Sequence, residues 1–236
     1  MYLSHPSGAR YRPPMPSLTI AIGNKNYSSW SLRGWLALEH IGVPYREVVI
    51  PLGRAETRAL IAEHSPSGRV PALHHDDARV WDSLAIAEHL AEAFPDAHLW
   101  PDDRTARAFA RAVSAEMHSG FPALRESMPM NIKARFPGYG RTPASLRDID
   151  RVRALWSECR TRFGQGGPYL FGRFSVADAM YAPGVFRFRT YDVSLDAVQR
   201  AYQGAMLAHP GMQKWARAAE AEEWTVEDDE YPDIRA

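Results

Sequence analysis

The stretch "NKNYSSWSLRGWLALEH", Asn24 to His40, decides how the chain is read. A short apolar run, "SLTIAI" (Ser17 to Ile22), precedes it and reads as a β-strand. Beyond the serines, Leu32, Trp35, Leu36, Leu38 and Ile41 recur at three and four residues, which predicts a helix ended by Gly42. Ser28 and Ser29 therefore stand where a strand gives way to a helix. A hydroxyl there ordinarily caps the helix by accepting from a free backbone N–H. The same place suits a second use. A helix N-terminus carries partial positive charge, and a thiol brought to it ionises more readily. A serine O–H donated to the sulfur contributes about 1.5–3 kcal/mol, equivalent to roughly one to two pKa units. The stretch holds no cysteine, so the thiol has to arrive on a bound small molecule.

Further along, "PYREVVI" (Pro44 to Ile50) reads as a strand and "RAETRALIAEH" (Arg54 to His64) as a helix. A strand from Val70 to His74, a turn at Asp76-Asp77 and a strand to Trp81 follow. Ser83 opens a third helix with Ile86, Ala87, Leu90 and Phe94 on one stripe. The order is βαβαββα. It implies a parallel first pair with a right-handed crossover and an antiparallel second pair. At "FPDAHLWPDD" (Phe94 to Asp103) the composition shifts to proline and acidic residues, which mark a linker. Beyond it every segment with periodicity is helical, including one from Arg104 to Met128. Residues 17–95 and 104–225 are expected to form an α/β domain and an all-α domain. Residues 1–16 read as a flexible tail and 226–236, with "EDDE", as a solvated acidic tail.

The whole chain sets limits on chemistry. It has 236 residues, room for two modest domains. Its formal net charge is zero, so no general attraction to nucleic acid or to anionic membrane is expected. No apolar run reaches bilayer-spanning length, and the first residues lack the apolar segment of a secretory signal. Cys159 is the one cysteine, which excludes an intrachain disulfide and a CxxC motif and makes a reducing, cytoplasmic compartment the default. Its helical surroundings, "RVRALWSECRTRF", suggest packing. No metal is expected: adjacent His74 and His75 on a strand point to opposite faces.

Three further constellations bear on a ligand. In "GRVPAL" a proline opens a strand; a cis bond there would turn the Val70 N–H and C=O outward, where an extended peptide can pair with them. In "WDSLAIAEHL", Asp82-Ser83 offers a carboxylate, a hydroxyl and helix N–H groups together, and Ser83 is a natural cap. In "FSVADAMYAP", Ser175 and Asp178 have capping-box spacing, and Pro183 is placed to kink the helix.

Taken in order, "SSWSLR", "VP" before the third strand, "DS" at the third helix, an all-α second half and "SVAD" resemble a cytosolic glutathione transferase over about Ser17 to Trp224. "SSWSLR" is similar to the zeta-class signature Ser-Ser-Cys-Ser-x-Arg-x-Arg, the class that includes maleylacetoacetate isomerases. The resemblance implies a thioredoxin-like N-terminal domain, glutathione as co-substrate and a homodimer. It assigns Ser28 to the glutathione sulfur, Val70 with a cis Pro71 to backbone pairing, and Asp82 and Ser83 to the γ-glutamyl end. Ser29, Trp30 and Arg33 fall on the other motif positions. The residue pattern leaves open whether Ser28 or Ser29 meets the sulfur. Trp30 replaces the motif's cysteine and Trp35 its second arginine. A small electrophile is expected between the domains, facing Met117, His118 and Phe121, with Arg125 nearby. Conjugation of glutathione is the expected reaction; glutathione-dependent cis–trans isomerisation and a non-catalytic binding module are the alternatives.

Overall fold

Alternation along the first strand builds the N-terminal sheet. In the computed structural model, which describes residues 17–231, β1 (Leu18–Gly23) is almost wholly buried. Successive side chains on a strand face opposite ways. Leu18, Ile20 and Ile22 join the main core, while Ala21 packs with Ile50 and Ile61 in a smaller cluster on the other face. Such two-faced burial makes β1 central. It pairs in parallel with β2 (Arg46–Ile50) and antiparallel with β3 (Ala72–His75), which pairs antiparallel with β4 (Ala78–Val80). The order is β2-β1-β3-β4. Helices α1 (Ser29–Ile41) and α3 (Ser83–Ala93) share one face, and α2 (Thr57–His64) lies on the other. Gly42 ends α1 in the left-handed conformation that suits glycine.

The second half is helical: α4 (Arg104–Ser119), α5 (Pro122–Ser127), α6 (Pro143–Phe163), α7 (Val176–Thr190), α8 (Ala197–Ala208) and α9 (Pro210–Glu220). Helix α7 is buried nearly all round, the mark of a central helix. It packs on α1, α4 and α8, and so ties the two halves together. It runs on through Pro183. At its start the Asp178 carboxylate accepts from Ser175 N–H at 2.9 Å and from Leu170 N–H at 3.0 Å.

Three expectations need correction. The helix read from Arg104 to Met128 breaks at Gly120 and Phe121, where Phe121 takes a positive φ of 59° and Pro122 starts α5. A Cβ on Gly120 would lie 2.6 Å from the Glu116 carbonyl, so only glycine closes α4 this way. At α3 the cap is Asp82, not Ser83: its carboxylate accepts from Leu84 N–H at 3.0 Å and Ala85 N–H at 3.3 Å. The cap residue must be extended, and that turn falls one residue earlier than read. The described part of the acidic tail is docked rather than solvated. Tyr27 O–H donates to Glu230 at 2.6 Å, Tyr231 O–H to the Ser127 carbonyl at 2.6 Å, and Tyr231 packs among Phe136, Tyr139 and Tyr191. Just before it, the Glu222 carboxylate accepts from the N–H groups of Lys25 and Asn26. Residues 1–16 and 232–236, both read as tail, lie outside the described residues.

Candidate active site

The junction of β1 and α1 faces a cleft between the two halves. Trp30, Arg69 and Val70 line both of its lobes, one of about 460 Å³ and one of about 470 Å³. The first lobe is completed by Pro71, Asp82, Ser83 and His118, among others. The second holds Ser28, Ser29, Arg125, Arg187 and Asp229.

Ser28 is the N-cap residue of α1 by position, yet its side chain makes no capping bond. Its O–H donates instead to Ser31 Oγ at 2.7 Å, and Ser31 Oγ also accepts from Gly23 N–H at 3.0 Å. Among the described residues no backbone carbonyl accepts from the N–H of Trp30 or Ser31. The start of α1 therefore presents free donors and a hydroxyl to the cleft, where a helix N-terminus favours negative charge. The Val70–Pro71 peptide is cis and leads into β3. Gly34 lets α1 approach it: a Cβ there would sit 3.2 Å from Pro71 Cγ.

At the other end of the cleft Asp82 does two jobs. One oxygen caps α3, and the other lies 3.0 Å from His118 Nε2 on α4, bridging the halves. Ser83 Oγ is buried without a partner among the described residues. His118 meets the Trp30 ring edge-on, with centroids 5.3 Å apart. Met117 and Phe121, expected beside it, belong to the core and line neither lobe. Met117 on α4 and Phe121 at the break before α5 turn their apolar side chains inward, as burial favours for those types.

Beneath Trp30 lies the least satisfied group of the described residues. Arg33 is fully buried, and none of its three guanidinium nitrogens has a hydrogen-bond partner. Its guanidinium stacks 4.3 Å from the Trp30 ring. Burial first, then the charges of Arg187 and Arg125, lower its pKa to about 9, so it stays cationic at neutral pH. Arg187 on α7 is held by its Nε–H donating to the Met128 carbonyl at 2.7 Å, and burial lowers it to about 10. No ion pair within 4.0 Å engages Arg33, Arg125 or Arg187 among the described residues. Across the same lobe, burial pushes the Asp229 carboxyl up to about 6.

Comparison with known proteins places this arrangement. The N-terminal domain of glutathione S-transferases matches residues 27–93, and the C-terminal domain matches residues 142–232. A maleylacetoacetate isomerase of Rhizobium meliloti is 31% identical over 182 residues, spanning 72% of this chain and 82% of its own. The chain belongs to the glutathione S-transferase family. A probable maleylacetoacetate isomerase of Caenorhabditis elegans is 27% identical over 162 residues, 67% of this chain and 75% of its own. Among solved structures, a glutathione transferase homolog of Burkholderia gl BGR1 with bound glutathione superposes with a TM-score of 0.66. At 23% identity it covers 87% of this chain and 100% of its own, and supports the fold. The chain is thus a zeta-like, glutathione-dependent transferase-family enzyme with the thioredoxin-like and helical domains expected of it.

Within this family frame the two departures have different weights. Trp35 lines neither lobe: it is fully buried 5.1 Å from Trp215 and donates to Glu47 at 2.6 Å, so it joins α1 to α9. Trp30 forms the wall shared by the two lobes. Sequence reasoning passed over Ser31, Arg187 and Asp229. Arg187 left a signal, a charged residue within the mainly apolar run "AMYAPGVFRF" of α7. Asp229 left none, because its docking depends on contacts with residues about two hundred positions away, such as Tyr27 with Glu230. Cys159 is buried in the core, and burial pushes its thiol up to about 12, which suits packing rather than nucleophilic attack. His74 and His75 engage different partners, the His64 carbonyl at 2.7 Å and His89 at 2.9 Å. Among the described residues no group of three or more ligating side chains could hold a metal, and no helix is long and apolar enough to cross a membrane.

Proposed function

We propose that the protein binds glutathione across both lobes, ionises its thiol at Ser28 and directs the thiolate at an electrophilic carbon. The supporting observation is the Ser28 hydroxyl: it occupies the cap position without capping, beside the free N–H groups of Trp30 and Ser31. In this reading Val70 pairs through its backbone with the cysteinyl unit, next to the cis Pro71. The buried, unpartnered Ser83 hydroxyl and the α3 N-terminus receive the γ-glutamyl carboxylate. Asp82 receives the amine, sharing its outer oxygen with His118. Ser29, Trp30 and Arg33 shape the wall between sulfur and electrophile. In conjugation the thiolate forms a C–S bond, and the displaced electron pair leaves with the leaving group or is protonated. A second copy of the chain completes the assembly in this reading, and sedimentation reads it as a dimer. Calorimetric titration with glutathione tests the binding half: absence of binding at millimolar concentration together with a co-purifying protein partner would turn the reading toward a scaffold.

One observation favours a second reading, reversible addition to an unsaturated dicarboxylate as in a maleylacetoacetate-type isomerase. Arg33, Arg125 and Arg187 converge, and among the described residues no carboxylate lies within 4.0 Å of any of them, Asp229 and Asp82 acting on Arg187 and Arg33 only from farther off. An unpaired buried charge is costly unless a ligand supplies its counter-charge. Arg33→Met is therefore expected to move two measurements in opposite directions. Folding stability in denaturant should hold or rise by about 1–3 kcal/mol, since a desolvated, unmatched charge is removed. The apparent affinity for a carboxylate-bearing electrophile should fall about tenfold or more, the value of a charge-assisted contact, while an uncharged electrophile such as an aryl halide is little affected. Equal losses with both electrophiles would remove the arginines from substrate recognition. Turnover of maleylacetone without net loss of glutathione separates isomerisation from conjugation.

A further inference from the structure

We propose that Ser31 is a positioning residue for the thiol chemistry, resting on the reading of Ser28 above. The chain Gly23 N–H, Ser31 O–H, Ser28 O–H aims the Ser28 proton at the sulfur and polarises it. Ser31 is fully buried, and the bonds of its side-chain oxygen are those to Ser28 and Gly23. It lies three residues after Ser28, on the same face of the first turn of α1. Its anchor is the last residue of the central strand, where Gly23 pairs with Ile50. So the hydroxyl pair is tied to the end of the strand that lies between β2 and β3.

Without glutathione the proton of Ser28 points to Ser31. A sulfur anion at the start of α1 is a stronger acceptor than a hydroxyl. Ser28 then turns its proton to the sulfur, and its oxygen becomes free to accept. Ser31 rotates its own proton onto that oxygen while still accepting from Gly23 N–H. No covalent bond changes; two hydroxyl protons rotate. Each bond in such a chain polarises the next in a low-dielectric site. Without Ser31, the Ser28 oxygen falls back to the ordinary cap role of accepting from helix N–H groups. That state turns the oxygen inward and uses donors the sulfur needs.

The experiment is a pH titration of enzyme-bound glutathione, read by thiolate ultraviolet absorbance, for Ser31→Ala, Ser31→Thr and Ser31→Val. Thr and Val match in shape and differ in the hydroxyl, so the pair reports on the proton even if the Ala protein folds poorly. Ala and Val should raise the bound thiol pKa by about half a unit to one unit, or three- to tenfold less thiolate at a fixed pH below it. Thr should keep the wild-type value. S-methylglutathione, which has no thiol proton, should bind all four proteins within about twofold of one another. The proposal is overturned if Ser28→Ala shifts the thiol while the Ser31 proteins do not. It is overturned equally if Thr and Val shift alike, or if S-methylglutathione loses affinity in step with the pKa. A Ser28→Ala protein whose bound thiol is unshifted overturns the Ser28 reading itself, and this one with it.

Discussion

Replacing Ser28 with Ala is expected to leave glutathione bound but to raise its thiol pKa by roughly one to two units. The conjugation rate near neutral pH should fall about ten- to a hundredfold with it, because the thiolate fraction falls by that factor. The argument is local. The Ser28 hydroxyl makes no cap bond, so the substitution removes no helix cap; among the described residues its partner is Ser31. The fold should therefore change by no more than about 1 kcal/mol, and a large loss of activity would be chemical rather than structural. Thiolate absorbance against pH and kcat/KM for a small aryl halide are the two measurements. Ser29→Ala is the comparator. Ser29 is the first residue of α1 and also lines the second lobe. If Ser29→Ala, and not Ser28→Ala, moves the thiol pKa, the roles of the two serines are exchanged.

The largest expected effect on stability lies far from the cleft. Asp178 is fully buried and accepts from Leu170 N–H at 3.0 Å, Ser175 N–H at 2.9 Å and Ser175 O–H at 3.0 Å. These bonds hold the 165–173 loop against the start of α7, the helix on which both domains pack. Asp178→Ala leaves the donors buried and unmet at about 1–3 kcal/mol each, a total loss of about 3–5 kcal/mol. The denaturant midpoint should fall steeply; a loss under about 1 kcal/mol would mean that the loop re-pairs with water. Asp178→Asn keeps the shape and separates the charge. Burial pushes the Asp178 carboxyl from 3.8 up to about 6. A raised carboxyl favours the folded state in its protonated form. That contribution is full below about pH 4 and is lost as pH rises through 6, by about 2–3 kcal/mol. The stability of the wild type relative to Asp178→Asn should therefore decline between pH 4 and pH 7. A flat difference would show that the hydrogen bonds hold the carboxylate ionised throughout.

Periodicity carried most of the fold. The apolar run "SLTIAI" and the three-to-four spacing in "SLRGWLALEHI" marked the first strand and helix, and both form there, buried on nearly every side rather than on one face. Of the residues expected at the site, Ser28, Val70, Pro71, Asp82 and His118 border the cleft, each marked in the sequence by its place at the start of an element or on a helix. The site was not legible where apolar type was the guide. Met117 and Phe121 fit a nonpolar pocket as well as a core, and the path of α4 for Met117 and the turn at Phe121 decided for the core.

The sequence by itself determined the order of strands and helices in the first half, the end of α1 at Gly42, and a serine pair at a helix start. These depend on backbone preference and on spacing within one element, which a linear string records. Only the tertiary structure decided that Ser28 turns to Ser31, that arginines from α1, α5 and α7 meet beneath Trp30, and that residues 222–231 close back on the loop before α1. A polar side chain takes whichever partner the fold brings within about 3 Å. Those partners stand as much as 203 positions apart in the chain, a separation no local pattern encodes.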